Sequence, residues 1–267
     1  MKGKKILTML MAMLMLMSTV LTGCSGGASN DLLAQIKERG EIIIAMEGTW
    51  APWTYHDEND QLVGYDVEVA QLIAEKLGVK ATFVEGEWDG LLAGLDSKRY
   101  DILVNGVDIT ESRQEKYDFT TPYAYNHTVI IVRGDNEDIH SLDDLAGKKT
   151  ANTISGIFAE MAESHGAEVT GVTALNQSFE LLAQGRVDAT LNDEVTYLSY
   201  VRQHPEADVK IAARTDEASS IAIPLRKEKE TETLRAEISK ILEELSKSGK
   251  LSELSLKYFG IDISQAS

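Results

Sequence analysis

Arg113 and Asp193 are the charged residues whose settings most invite chemistry. Arg113 lies three residues after Thr110, which is suited to cap the helix that Arg113 would open. A guanidinium there can grip a carboxylate through two parallel hydrogen bonds, a geometry Lys cannot match. The helix's N-terminal amides can hold the same anion. The plain alternative is a solvated surface Arg. Asp193 follows the strand-like run Asp188 to Leu191. It can therefore point beyond a strand's carboxyl end, where open α/β sheets bind ligands. It is equally suited to cap a helix starting at Glu194. All three Trp (Trp50, Trp53 and Trp88) lie in the first third of the chain. They can wall a site or simply fill a core.

Other chemistries find less support. The five His (56, 127, 140, 165 and 204) show no metal-ligand spacing. Cys24 is the only Cys, so no disulfide can close within the chain. No G-x-S-x-G, GxGxxG or phosphate-loop run occurs. Neither a metal nor a cofactor is expected. Asp and Glu are plentiful, so carboxylate acid–base catalysis is not excluded by composition.

The N-terminus is a segment apart. Lys2, Lys4 and Lys5 precede an apolar run from Ile6 to Val20, the pattern of a secretory signal peptide. The run is shorter than the ~20 residues of a membrane span. Leu21-Thr22-Gly23-Cys24 follows and resembles the lipobox of bacterial lipoproteins. That resemblance implies cleavage before Cys24, diacylation of its sulfur and attachment to the bacterial membrane through lipid alone, since two acyl chains anchor stably. Loss of the three Lys, with no acid among residues 1–23, moves the net charge from −17 to −20. Nucleic acid and anionic bilayer surfaces repel so acidic a chain, so no nucleic-acid partner is expected.

The elements that must carry these residues read as alternating strands and helices. Ser25 to Asn30 is a small, polar tether. Glu41 to Met46 suits a doubly buried strand. Tyr55 and Leu62 to Tyr65 flank a turn-rich tip, and Asp66 can cap the helix whose apolar stripe is Val69, Ala70, Ile73, Ala74 and Leu77. Ala81 to Val84, Leu91 to Leu95 and Ile102 to Val104 complete β-α-β-α-β, the signature of a parallel sheet. A second unit starts near Thr128 to Val132. It continues through a short helix at Leu142 to Leu145, a strand at Thr150 to Thr153 and a helix from Ile157. A helix at Asn176 to Gln184, a strand at Val187 to Leu191 and a helix at Glu194 to Gln203 follow. Ser220 to Leu225 reads as a strand heading back. Glu228 to Tyr258 is helical, with Leu234, Ile238, Ile241, Leu242 and Leu245 on one stripe. These last helices lack a sheet of their own, so the first lobe is expected to be discontinuous. The expected organisation is signal peptide 1–23, tether 24–30, first lobe 31–124, second lobe 125–217 and the remainder of the first lobe 218–267. Two crossings between lobes make a hinge.

Several runs, in this order, resemble the polar-amino-acid substrate-binding proteins of ABC importers. They are Glu47-Gly48-Thr49-Trp50-Ala51-Pro52-Trp53, Leu62-Val63-Gly64-Tyr65-Asp66-Val67-Glu68, Trp88-Asp89-Gly90-Leu91-Leu92, Asp108-Ile109-Thr110-Glu111-Ser112-Arg113, Tyr117-Asp118-Phe119-Thr120-Thr121-Pro122-Tyr123, Gly185-Arg186-Val187-Asp188-Ala189 and Tyr258-Phe259-Gly260. The resemblance spans about Leu32 to Gly260. It implies an α/β fold of the two-lobed periplasmic-binding-protein type II class, each lobe a mostly parallel sheet flanked by helices. It also implies a small-molecule amino acid ligand in the cleft, delivery to an ABC permease and a monomeric chain.

A free amino acid is a zwitterion and needs a cation, an anion and a surface for its side chain, because either charge desolvated without a partner is costly. The resemblance puts Arg113 on the carboxylate and Asp193 on the ammonium. It stacks Trp50 on the ligand, makes Trp88 a second wall and brings Glu47 to the ligand side chain. Asn105, Gly106 and Asp108 align with a stretch that contacts the ligand. Asp108 departs from the family, which usually has Ser or Thr there. It either adds a second anion near the ammonium or turns away. Thr153-Ile154-Ser155-Gly156-Ile157 departs as well from a Gly-Thr-Thr-like run, leaving Ser155 as a partial substitute. Asp188, inside its strand, reads as structural. The run Trp88 to Arg99 looks most like cystine-binding members. A dehydratase-type enzyme and an amino-acid sensor on the same fold are the competing expectations.

Overall fold

Strand propensity and helix caps divide the chain where the hydrophobic pattern changes period. The computed structural model describes residues 31–266. The expected signal peptide, Cys24 and the tether lie outside them. Asp31 caps α1 (Leu32–Arg39) by accepting from the Leu33 and Ala34 amides, and left-handed Gly40 ends that helix. β1 (Glu41–Met46) follows, then a small antiparallel meander of β2 (Thr49–Trp50), β3 (Thr54–His56) and β4 (Leu62–Val63). Next come α2 (Tyr65–Leu77), β5 (Lys80–Glu85), α3 (Trp88–Asp96) and β6 (Ile102–Leu103). β1 is the centre of a parallel three-stranded sheet in the order β5-β1-β6.

Asp66 does not cap α2. Gly64 takes that position, and the Asp66 side chain is fully buried instead. It accepts from the Gly106 amide at 2.5 Å and from the Tyr123 hydroxyl at 2.8 Å. Gly64 sits there because a Cβ would fall 2.1 Å from the Trp53 carbonyl oxygen.

The chain then runs through α4 (Glu111–Lys116), β7 (Tyr117–Phe119) and β8 (Ala124–Asn126). Beyond β8 it builds the second sheet. Its elements are β9 (Thr128–Arg133), β10 (Lys149–Asn152), α5 (Ile157–Ser164), β11 (Glu168–Gly171), α6 (Leu175–Ala183), β12 (Ala189–Asp193), α7 (Glu194–Gln203) and β13 (Val209–Arg214). The strand order is β11-β10-β12-β9-β13. Only β9 runs against the other four. Asp188 accepts from the Lys149 amide at 2.8 Å and so pins the end of β10.

The returning segment is two short strands rather than one. β14 (Ser219–Ile221) pairs with β8, and β15 (Pro224–Arg226) pairs with β7. The two pairings use different partner strands, which breaks the run at residues 222–223. The helical tail is also interrupted: α8 (Glu232–Lys247) and α9 (Lys250–Phe259) meet at Gly249, which is left-handed at φ 77. Leu234, Ile238, Ile241, Leu242 and Leu245 of α8 join Ile36, Ile42, Ile44, Ile73 and Ile102 in one core. Each such burial is worth roughly 1.5–3 kcal/mol. The C-terminal helices therefore belong energetically to the first sheet, and the returning β14 lies antiparallel beside β8.

Candidate functional site

The carboxyl ends of β1 and β6 and the N-termini of α3 and α4 converge on one cavity. The space between them is about 600 Å³ with the open solvent at its mouth included. Its first-lobe wall comprises Glu47, Trp50, Trp88, Asn105, Gly106, Asp108 and Arg113. The second lobe supplies Asn152, Thr153, Gly156, Ile157, Phe158, Leu175, Ser178 and Asn192.

Arg113 is placed by its helix start. Thr110 occupies the N-cap of α4 and accepts from the Arg113 amide at 3.2 Å. The guanidinium lies 5.2 Å from the centre of the Trp88 ring. Its Nη1 donates to the Asp108 carbonyl at 3.1 Å. Burial lowers its pKa, and the Asp108 carboxylate pushes back. An Arg stays cationic in any case, so a buried positive fork faces the cavity.

Asp108 runs beside the crossing strand, bridged to Ile221. Its Oδ1 is buried without a hydrogen-bond partner. Burial raises its pKa, while Ser219 and Arg113 pull it down. Asp193 is 2% exposed and stands at the N-cap position of α7, yet its side chain makes no capping hydrogen bond. It is not among the residues lining the cavity, but its neighbour Asn192 is. Burial drives its pKa well above the carboxylate range, and Asp108 and Asp66 add to the effect. Trp53 and Asn126 turn donors toward it, although neither Trp53 Nε1 nor Asn126 Nδ2 completes a hydrogen bond. Asp193 thus feels the buried acids Asp108 and Asp66, and of these Asp108 is the one that also feels the Arg113 guanidinium.

Glu47 and Asn105 clasp each other: the Glu47 amide donates to Asn105 Oδ1, and Asn105 Nδ2 donates to Glu47 Oε2, both at 2.8 Å. Burial nonetheless pushes Glu47 up to about 7. Trp50 stacks on Trp53 with ring centres 5.6 Å apart and covers Gly106. Gly106 has φ +52, and a Cβ there would fall 2.8 Å from the Trp50 ring. Only glycine allows both the turn and the approach.

Seven of the nine ligand-contact residues expected from sequence therefore line one cavity. Ser155 does not: it turns its hydroxyl to Asp89 at 2.5 Å. Asp193 is the other residue of the nine that does not line the cavity. The sequence reading missed Asn152 and Asn192, although both lie at carboxyl ends of strands (β10 and β12), the same rule that singled out Asp193. It also missed the apolar second-lobe lining of Phe158 and Leu175. No group of three or more His, Cys, Asp or Glu suited to a metal is found among the described residues.

A two-lobed α/β fold, with buried Arg113 and Asp108 lining one cavity, has the architecture of a solute receptor. Residues 42–261 match the bacterial extracellular solute-binding proteins, family 3, and the chain belongs to that family. Membership assigns it to the extracytoplasmic side. The L-cystine-binding protein TcyA of Bacillus subtilis is 38% identical over 267 residues, covering 96% of this chain and 98% of that protein. An ancestral arginine-binding protein bound to glutamine overlays with a TM-score of 0.78 at 36% identity, covering 83% of this chain and 99% of the other. The L-cystine solute receptor of Neisseria gonorrhoeae in its unliganded open conformation gives 0.60 at 38% identity, covering 87% and 99%.

Proposed function

We propose that this chain captures a zwitterionic polar amino acid, with L-cystine the leading candidate, and hands it to the permease of an ABC importer. The observation that carries the reading is one cavity lined by the buried guanidinium of Arg113 and the buried carboxyl of Asp108, with buried Asp193 next to the lining residue Asn192. Arg113 takes the ligand carboxylate, helped by the amides at the start of α5. Asp193 and Asp108 take the ammonium. Trp50 and Trp88 cover the ligand, and Glu47, with Asn105 and Gly106, meets its side chain.

Asp193 fits the ammonium role because its carboxylate is not spent on capping α7. The relatives' names support an amino acid, and TcyA supports cystine. The better overlay with a ligand-bound protein than with a more identical open one supports reading the present lobe arrangement as closed. Lobe limits of 31–124 with 218–267, and 125–217, follow from the same reading. So do monomeric action and a lipid anchor on Cys24. Replacing Cys24 by Ala should release the protein from the membrane fraction.

The decisive test is calorimetric titration of a soluble chain starting at Ser25, refolded to strip carried-over ligand. Tight one-to-one binding of cystine or another polar amino acid is expected. No heat across the common amino acids and cystine would overturn the reading.

A further inference from the structure

Two helix N-termini face each other at the rim of the cavity. α3 begins at Trp88 in the first lobe, and α5 begins at Ile157 in the second. Neither is capped by its own side chain: Glu87 and Gly156 hold the N-cap positions without a side-chain hydrogen bond. The α5 start is served instead from the opposite lobe. Asp89, in the first turn of α3, accepts from Ser155 Oγ at 2.5 Å and from the Ser155 amide at 3.4 Å. The carboxylate therefore lies against the positive end of α5, where negative charge is favoured. Close by, a Cβ on Gly156 would fall 3.8 Å from Trp88 Nε1, so the bare backbone of the second lobe rests on the indole edge. Trp88 in turn lies under Arg113.

We infer that Asp89 is a positioning residue for capture. Across the cleft it fastens the Ser155–Gly156 corner and so holds the N-terminus of α5 over the ligand carboxylate opposite Arg113. The inference rests on the cleft reading of function given above. Asp89 is not among the residues that line the cavity. Its contact exists only when the lobes meet, so it acts on the lifetime of the closed complex and leaves encounter alone. When the lobes part, water replaces Ser155. Asp89 is exposed, so the effect is moderate: screening keeps such contacts near the low end for charged hydrogen bonds.

Stopped-flow binding tests this on the full soluble chain. The probe is whichever of L-cystine, L-arginine and L-glutamine the wild type binds. Asp89→Ala should raise the dissociation rate about fivefold to tenfold, with the association rate within about twofold and the ligand-free melting temperature unchanged. Ser155→Ala, which removes the other end of the same contact, should do the same. The double variant should dissociate no faster than either single one. A wild-type dissociation rate in either single variant, or rate increases that multiply in the double, would overturn the inference. Failure of the wild type to bind any amino acid would instead overturn the proposed function.

Discussion

Replacing Arg113 by Ala separates binding from folding, and the structure sets both magnitudes. In the folded chain the guanidinium makes one side-chain hydrogen bond, to the Asp108 carbonyl, and a cation–π contact with Trp88. Losing a hydrogen bond of this kind costs about 1–3 kcal/mol, and removing a poorly solvated charge offsets part of it. The melting temperature of the ligand-free chain should therefore fall by only a few degrees. The bound ligand fares differently. Its carboxylate would be enclosed with no cation, and truncating one partner of a buried charge pair costs about 2–5 kcal/mol. At about 1.4 kcal/mol per decade, affinity should drop roughly 30-fold to 4,000-fold. Arg113→Lys keeps the charge and loses the fork, so it should fall between the two. Calorimetric titration beside differential scanning calorimetry reads both quantities. An Arg113→Ala variant that binds like wild type would refute the carboxylate assignment. One that unfolds outright would refute the view that the residue is spared for ligand.

Three further outcomes follow from the same geometry. Glu47 and Asp66 are both pushed up to about 7 by burial, above the usual value near 4. Their folded forms hold protons that the unfolded chain releases, so the stability they give is full below about pH 4 and lost as pH rises through about 7. The ligand-free melting temperature should be lower at pH 8 than at pH 5.5, and Asp66→Asn should flatten the difference; a slope unchanged in that variant would count against Asp66. Gly106→Ala forces a side chain at φ +52 and 2.8 Å from Trp50, so it should destabilise by about 1–3 kcal/mol and weaken ligand binding, measured by denaturant melts and titration. Glu47→Gln removes an acid of the cavity lining that the proposed function sets against the ligand side chain. It should cut the preference for arginine over glutamine about tenfold, and an unchanged affinity ratio would remove Glu47 from side-chain recognition.

Local chemistry explains which parts of this were legible. The Ile42 to Ala45 run, the β-α-β-α-β alternation and the stripe on α8 are set by residues near in sequence, and they read correctly. The Thr110 cap of Arg113 is likewise a three-residue signal. What escaped depends on distant partners. Asp66 looks like a cap until Gly106 and Tyr123, 40 and 57 residues away, claim both its oxygens. The segment after Ser219 reads as one strand until its two halves meet different partners, β8 and β7. The Ser155 hydroxyl finds its partner in Asp89, 66 residues earlier, a contact no local pattern announces. Asn152, Phe158, Leu175 and Asn192 gain meaning only when the second sheet faces the first.

The buried acids tie these levels together. A carboxyl such as Asp193, enclosed at 2% exposure beside Asp108 and Asp66, opposes folding whenever it is ionised. Well-packed apolar residues would make a more stable interior at those positions. The cluster makes physical sense in a protein whose enclosed state includes a cation that is not part of the chain. An ammonium between Asp108 and Asp193 would offset both charges, and it would favour the ionised form of two acids whose pKa values burial raises in the ligand-free cleft. Ligand binding near neutral pH should then release protons, with heats that depend on the ionisation enthalpy of the buffer. In Asp108→Ser the release should shrink while Asp193 still holds the ammonium. Full wild-type release in that variant would mean that Asp108 turns away from the ligand and serves only the crossing strand.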